Sequence, residues 1–85
     1  MINLKRLDLS FNTLTSIPNF ECLKELRELN ISYNKIGYID NLNKLPNLKN
    51  LNLDHNKIKR LENLKNVKKL EVLSISGNLL EDLAI

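Results

Sequence analysis

Leu26-Arg27-Glu28-Leu29-Asn30-Ile31-Ser32-Tyr33-Asn34 decides the fold of this chain, because the same phrase returns on both sides of it at a spacing of 22 residues. One step back stands Leu4-Lys5-Arg6-Leu7-Asp8-Leu9-Ser10-Phe11-Asn12; the steps forward give Leu48 to Asn56 and Leu70 to Asn78. A period this strict fixes a stack of repeated supersecondary units before any single residue is interpreted. Counted from the first Leu of each unit, positions 1, 4, 6, 11, 14, 17 and 20 are apolar wherever the chain supplies them, down to Leu70, Leu73, Ile75, Leu80 and Leu83 of the fourth unit.

Leu7 and Leu9, Leu29 and Ile31, Leu51 and Leu53, and Leu73 and Ile75 are each separated by one polar or small residue. That is the period-2 alternation of a short strand with one buried face, so one strand per unit is predicted. The rest of each unit places apolar residues every third position, as in Ile36, Ile39, Leu42, Leu45, Leu48 and Leu51. An α-helix would rotate such a series by about 60° per step, which excludes a regular amphipathic helix. Short 3₁₀ turns or irregular extended segments fit instead. The expected architecture is an α/β-class solenoid with four short parallel strands on a concave face, a tight return path on the convex face, and a right-handed coil. One domain is expected over residues 1–85, with units starting at 4, 26, 48 and 70 and the last unit incomplete. End caps are not expected, since Met1 falls at position 20 of a preceding unit and Ile85 at position 16 of the fourth. Open strand edges then predict end-to-end self-association.

Asn12, Asn34, Asn56 and Asn78 recur where the backbone leaves each strand. An Asn turned inward can satisfy backbone groups of its own and the adjacent turn with its carbonyl and amide, so the row is assigned a structural role. The phrase LxxLxLxxNxL resembles the leucine-rich repeat. The 22-residue unit with its LxxLxx tail, as in Ile39-Asp40-Asn41-Leu42-Asn43-Lys44-Leu45, is similar to the subclass found in the regulatory subunit of type 1 protein phosphatase. Nearly the whole chain is covered, with one local departure at Ser16-Ile17-Pro18, which looks like longer repeat classes. The resemblance implies a noncatalytic protein-interaction or scaffold module, with a phosphatase regulatory subunit as its narrowest form. The residues that carry it are the buried ones, so it speaks for fold more than for function.

The net charge of +3 is unevenly placed: Lys44 to Lys69 holds eight Lys or Arg against two acids. Lys57, Lys59, Arg60, Lys65, Lys68 and Lys69 occupy different positions around the coil, which reads as a solvated face. RNA contact through residues 57–69 is the alternative function, but no aromatic stacking platform accompanies the charge. No apolar run approaches a membrane span, and Lys5 and Arg6 interrupt any signal-peptide core, so a cytoplasmic or nuclear protein is expected. Cys22 is the only cysteine, which excludes an intrachain disulfide and a cysteine metal cluster.

Catalysis has little to build on. His55 is the only histidine, Gly37 and Gly77 cannot form a glycine-rich phosphate loop, and the acids fall in different columns. No catalytic, metal or cofactor residue is therefore assigned. Binding has more. Side chains at positions 3, 5, 7, 8 and 10 are expected to stand on the concave surface, and the candidate protein-binding residues there are Arg6, Asp8, Phe11, Glu28, Asn30, Tyr33, Asn52, His55, Val72, Ser74 and Leu79. A rigid mixed polar surface with an aromatic stripe suits a protein partner.

Overall fold

A computed structural model describes residues 2–81; Leu83, an expected interior residue, lies outside them. Four three-residue strands, β1 (Arg6–Asp8), β2 (Glu28–Asn30), β3 (Asn50–Asn52) and β4 (Val72–Ser74), form one parallel sheet in chain order. Each pairs with the next in the register Leu7↔Leu29↔Leu51↔Leu73, so equivalent positions of successive units lie side by side. The ladder reaches past the strands: Arg27 N–H and Glu28 N–H both donate to the Lys5 carbonyl, and Phe11 N–H donates to the Ser32 carbonyl at 3.0 Å.

The return path explains the apolar spacing of three. Leu45 N–H donates to the Leu42 carbonyl at 3.1 Å and Leu48 N–H to the Leu45 carbonyl at 3.2 Å; Phe20, Leu23 and Leu26 repeat the pattern, as do Leu64, Val67 and Leu70. Residues three apart thus bond each other's backbones while pointing to one side, which is 3₁₀ geometry. Only Leu42–Lys44 makes a complete 3₁₀ helix, and no α-helix occurs among the described residues.

Burial follows the stacking. In the second unit Leu26, Leu29, Ile31, Ile36, Ile39, Leu42 and Leu45 are all buried, as are Leu48, Leu51, Leu53 and Ile58 of the third. Each such side chain contributes roughly 1.5–3 kcal/mol by leaving water. Leu4 and Leu80 occupy core positions in the outer units, yet are exposed. A unit's interior is completed by the neighbour stacked on it.

One expectation about the surface fails. At position 7 Ser32 does not stand free on the strand face, although Ser76 of the fourth unit is exposed: Ser32 is 5% exposed, and its hydroxyl donates to Asn30 Oδ1 at 2.7 Å. The backbone has already begun its turn there, so the side chain is folded against the strand residue two before it.

Candidate functional site

Three columns leave the sheet at successive places along each unit, and their side chains bond differently. At position 3, Arg6 Nε donates to Glu28 Oε2 at 2.7 Å, an ion pair across adjacent strands with the arginine side chain 81% exposed. Such a pair contributes little to stability in water. Asn50 and Val72 continue the column, both exposed.

At position 5 the side chains hold the turn. Asp8 Oδ1 accepts from Ser10 N–H at 2.9 Å, Asn30 Oδ1 from Ser32 N–H at 2.9 Å, and Asn52 Oδ1 from Asp54 N–H at 3.0 Å. An Asx turn of this kind needs a side-chain oxygen two residues before the amide. The Ser74 hydroxyl does not accept from the Ser76 amide, and the neighbouring unit replaces it: Asp54 Oδ1 accepts from Ser76 N–H at 2.8 Å and from the Ser74 hydroxyl at 2.7 Å. The Ser74 hydroxyl is the largest cause holding the Asp54 carboxyl below the usual carboxylate range, with Ser76 and the charge of His55 acting the same way against partial burial. Asp8 is lowered too, first by the Ser10 hydroxyl and then by the Ser10 amide. Asp8, Asn30, Asn52 and Ser74 therefore carry structural bonds as well as facing the open side of the sheet.

At position 8 the chain leaves the strand through the left-handed region, with φ of 57° at Phe11, 56° at Tyr33, 55° at His55 and 68° at Gly77. Four equal backbone conformations in register set the side chains parallel. The Phe11 and Tyr33 rings stack at 4.4 Å and 8°, and the Tyr33 and His55 rings at 4.5 Å and 20°. Gly77 ends the stack with the His55 ring lying over it, where a Cβ would run into Nδ1 and Cε1. Phe11 is 74% exposed and Tyr33 45% exposed. Leu79, two residues beyond Gly77, is exposed as well.

One residue further on, polar bonding replaces stacking. Asn34 Nδ2 donates to the Ile31 and Leu9 carbonyls, both at 3.0 Å, and its Oδ1 accepts from Leu14 N–H at 3.0 Å. Asn56 does the same toward Ile31, Leu53 and Ile36, and Asn78 toward Leu53, Ile75 and Ile58. Asn12 bonds the Leu9 and Ser10 carbonyls of its own unit. A second asparagine line runs along the return path, where Asn41 Nδ2 donates to the Ile17 carbonyl at 2.8 Å and Asn63 Nδ2 to the Ile39 carbonyl at 2.7 Å. Sequence reasoning missed that line, although its signal is the same spacing of 22 residues.

Between these columns the strand face carries a shallow depression of about 270 Å³, with Glu28, Asn50 and Val72 on one side and Asn30, Asn52 and Ser74 on the other. Three or more metal-ligating side chains do not gather anywhere among the described residues. Nor is any helix there long and apolar enough to cross a membrane. The arrangement can bind along an extended, mixed surface bordered by aromatic rings.

The family model for Leucine Rich repeats (2 copies) matches residues 2–44, 24–66 and 46–85, each window beginning one period after the last. The match is to the repeat and does not separate the phosphatase regulatory-subunit subclass from others. No curated protein matches the chain.

Proposed function

The chain belongs to the leucine-rich repeat family, whose repeats generally mediate protein–protein interaction without catalysis, and from that premise we propose that it binds a partner protein across its strand face and the Phe11–Tyr33–His55 rim. One observation carries the proposal: the rings form a continuous stacked column and remain exposed. Left-handed φ costs an L-residue roughly 1–2 kcal/mol, and stacking returns only about 0.5–1.5 kcal/mol per pair. Bulky rings kept at strained positions and left in water suit contact with something else. Val72 and Leu79, 56% and 53% exposed, add apolar area at the fourth unit.

A role as a phosphatase regulatory subunit is the narrower form of this reading and rests on the resemblance of the repeat alone. RNA contact through residues 57–69 finds less support. Nucleic-acid bases stack on ring faces, and in this column Tyr33 has one face against Phe11 and the other against His55.

The test is the double variant Tyr33→Ala, His55→Ala, titrated calorimetrically into a partner recovered from the source cell. Loss of about 1–3 kcal/mol of binding with native circular dichroism is expected. Unchanged binding would move the interface off this rim.

A further inference from the structure

The strand face has a second border, and its chemistry is opposite to that of the aromatic rim. Where the strands begin, position 2 places Lys5, Arg27 and Lys49 in one column. Its alignment is set by the backbone: the Lys5 carbonyl accepts from Arg27 N–H at 2.9 Å, the Arg27 carbonyl from Lys49 N–H at 2.8 Å, and the Lys49 carbonyl from Glu71 N–H at 2.9 Å. Successive side chains therefore start about 4.8 Å apart, the strand spacing.

All three cations are exposed. Among the described residues the ion pairs are Arg6 with Glu28 and Lys44 with Glu21, so none of the three cations is in one, and the column's only acid is Glu71 at its fourth position. The turns just before the strands add Lys24, Lys68 and Lys69, against Glu25 and Glu71. These turns are themselves stacked, since Asn47 Nδ2 donates to the Lys24 carbonyl at 2.7 Å and Lys69 Nζ donates to Asn47 Oδ1 at 3.0 Å. Like charges aligned across neighbouring strands repel one another, and an anionic partner relieves that repulsion as it binds.

We infer that the strand face selects an acidic protein segment, whose carboxylates meet Lys5, Arg27 and Lys49 while its apolar side chains lie against the Phe11–Tyr33–His55 rim. The inference rests on the protein-binding reading above and adds the partner's chemistry. The two borders lie at opposite ends of the strands, six residues apart and so at most about 20 Å at the strand rise, and the partner carries its charge and its apolar contact on opposite sides of that span. The cations alone would accept phosphates as readily as carboxylates. The rim makes the choice, because its middle ring has no face free for a base and offers edges that suit aliphatic side chains and carbonyl oxygens.

Three fluorescent probes of matched length decide it: a peptide alternating Glu with Leu, a peptide alternating Lys with Leu, and oligouridine. The Glu-Leu peptide is expected to bind most tightly and to weaken as salt rises. The variant Lys5→Gln, Arg27→Gln, Lys49→Gln should lose about tenfold in its affinity, and Phe11→Ala, Tyr33→Ala should lose affinity independently. Lys59→Gln, Arg60→Gln, Lys65→Gln should bind as the unmodified protein does. Glu71 already occupies the column in the fourth unit, so removing charge there is compatible with the fold, and circular dichroism of each variant checks it. Equal binding of the two peptides, or of the position-2 variant, overturns acidic selection; tighter binding of oligouridine makes the edge a nucleic-acid surface and overturns it as well. If the position-2 variant keeps its affinity for the cellular partner while Phe11→Ala, Tyr33→Ala loses it, charge selection falls and the protein-binding reading stands.

Discussion

Tyr33 and Asn34 are neighbours in the chain, recur with one period, and end in opposite surroundings: the ring is 45% exposed and the amide 7% exposed. Periodicity shows that both positions are used, and bonding capacity decides how. The asparagine has two N–H donors and an oxygen, which reach carbonyls in two units and an amide in the turn of the preceding unit. A phenol ring at the same place would leave the Leu14 amide unpaired, at about 1–3 kcal/mol, and the Leu9 and Ile31 carbonyls with one asparagine donor each, Asn12 and Asn56. The aromatic column, by contrast, stacks only on itself, and its outer edges remain available. One line holds the coil together and the other borders a surface.

The contrast can be broken most forcefully from the interior that both lines depend on. Leu53 is fully buried between the second and fourth units, and Leu53→Ala should cost about 2–5 kcal/mol through lost burial and the cavity left behind. A denaturation midpoint equal to that of the unmodified protein would contradict the register that places Leu53 inside.

A smaller effect sharpens the aromatic side. Gly77 has φ of 68° and lies under the His55 ring, so Gly77→Ala should destabilise by about 1–2 kcal/mol from the left-handed backbone alone and push the ring outward. Thermal melts read the first consequence. Nuclear magnetic resonance ring-current shifts between Tyr33 and His55 read the second, and unaltered shifts would mean that the stack does not rest on Gly77.

The smallest effect concerns Asp54, whose carboxyl binds across two units. Its folded pKa lies below the ordinary 3.8, so its contribution is complete above that value and is lost as pH falls through the lowered one. The stability difference between the unmodified protein and Asp54→Asn should accordingly shrink in titrations from about pH 6 to about pH 2. A difference that stays constant would show that charge plays no part in the Asp54 bonds.

The strands were legible in the sequence because alternation at Leu29 and Ile31 leaves one face to bury, and a fixed period then forces the register. The return path was legible as a class, since apolar residues every third position exclude an α-helix; which turn would close into a 3₁₀ helix was not, because Leu42–Lys44 is set apart by one further backbone bond, from Lys44 N–H to the Asn41 carbonyl at 3.3 Å. The candidate surface was half legible. Alternation put Arg6, Glu28 and Val72 on the open side, and none of the three is buried, yet it overextended the strand to Ser32, where the Asx bond to Asn30 has already turned the chain. The stacking of Phe11, Tyr33 and His55 depended on a left-handed backbone that an aromatic residue does not announce. Gly77 in the same column was the clue, because glycine is the residue for which that conformation is least costly.

Equilibrium unfolding of His55→Ala and Asn56→Ala, measured side by side, tests the division between the two lines most directly. These residues are adjacent, belong to the same unit, and have neighbours stacked on both sides. Asn56→Ala should lower stability by about 1–3 kcal/mol, because the amide of Ile36 loses its partner and the carbonyls of Ile31 and Leu53 each keep only one of two asparagine donors, from Asn34 and Asn78, whereas His55→Ala should cost less than about 1 kcal/mol. Equal losses, or a larger one for His55→Ala, would make the aromatic column part of what holds the coil together and contradict its assignment as a surface kept for a partner.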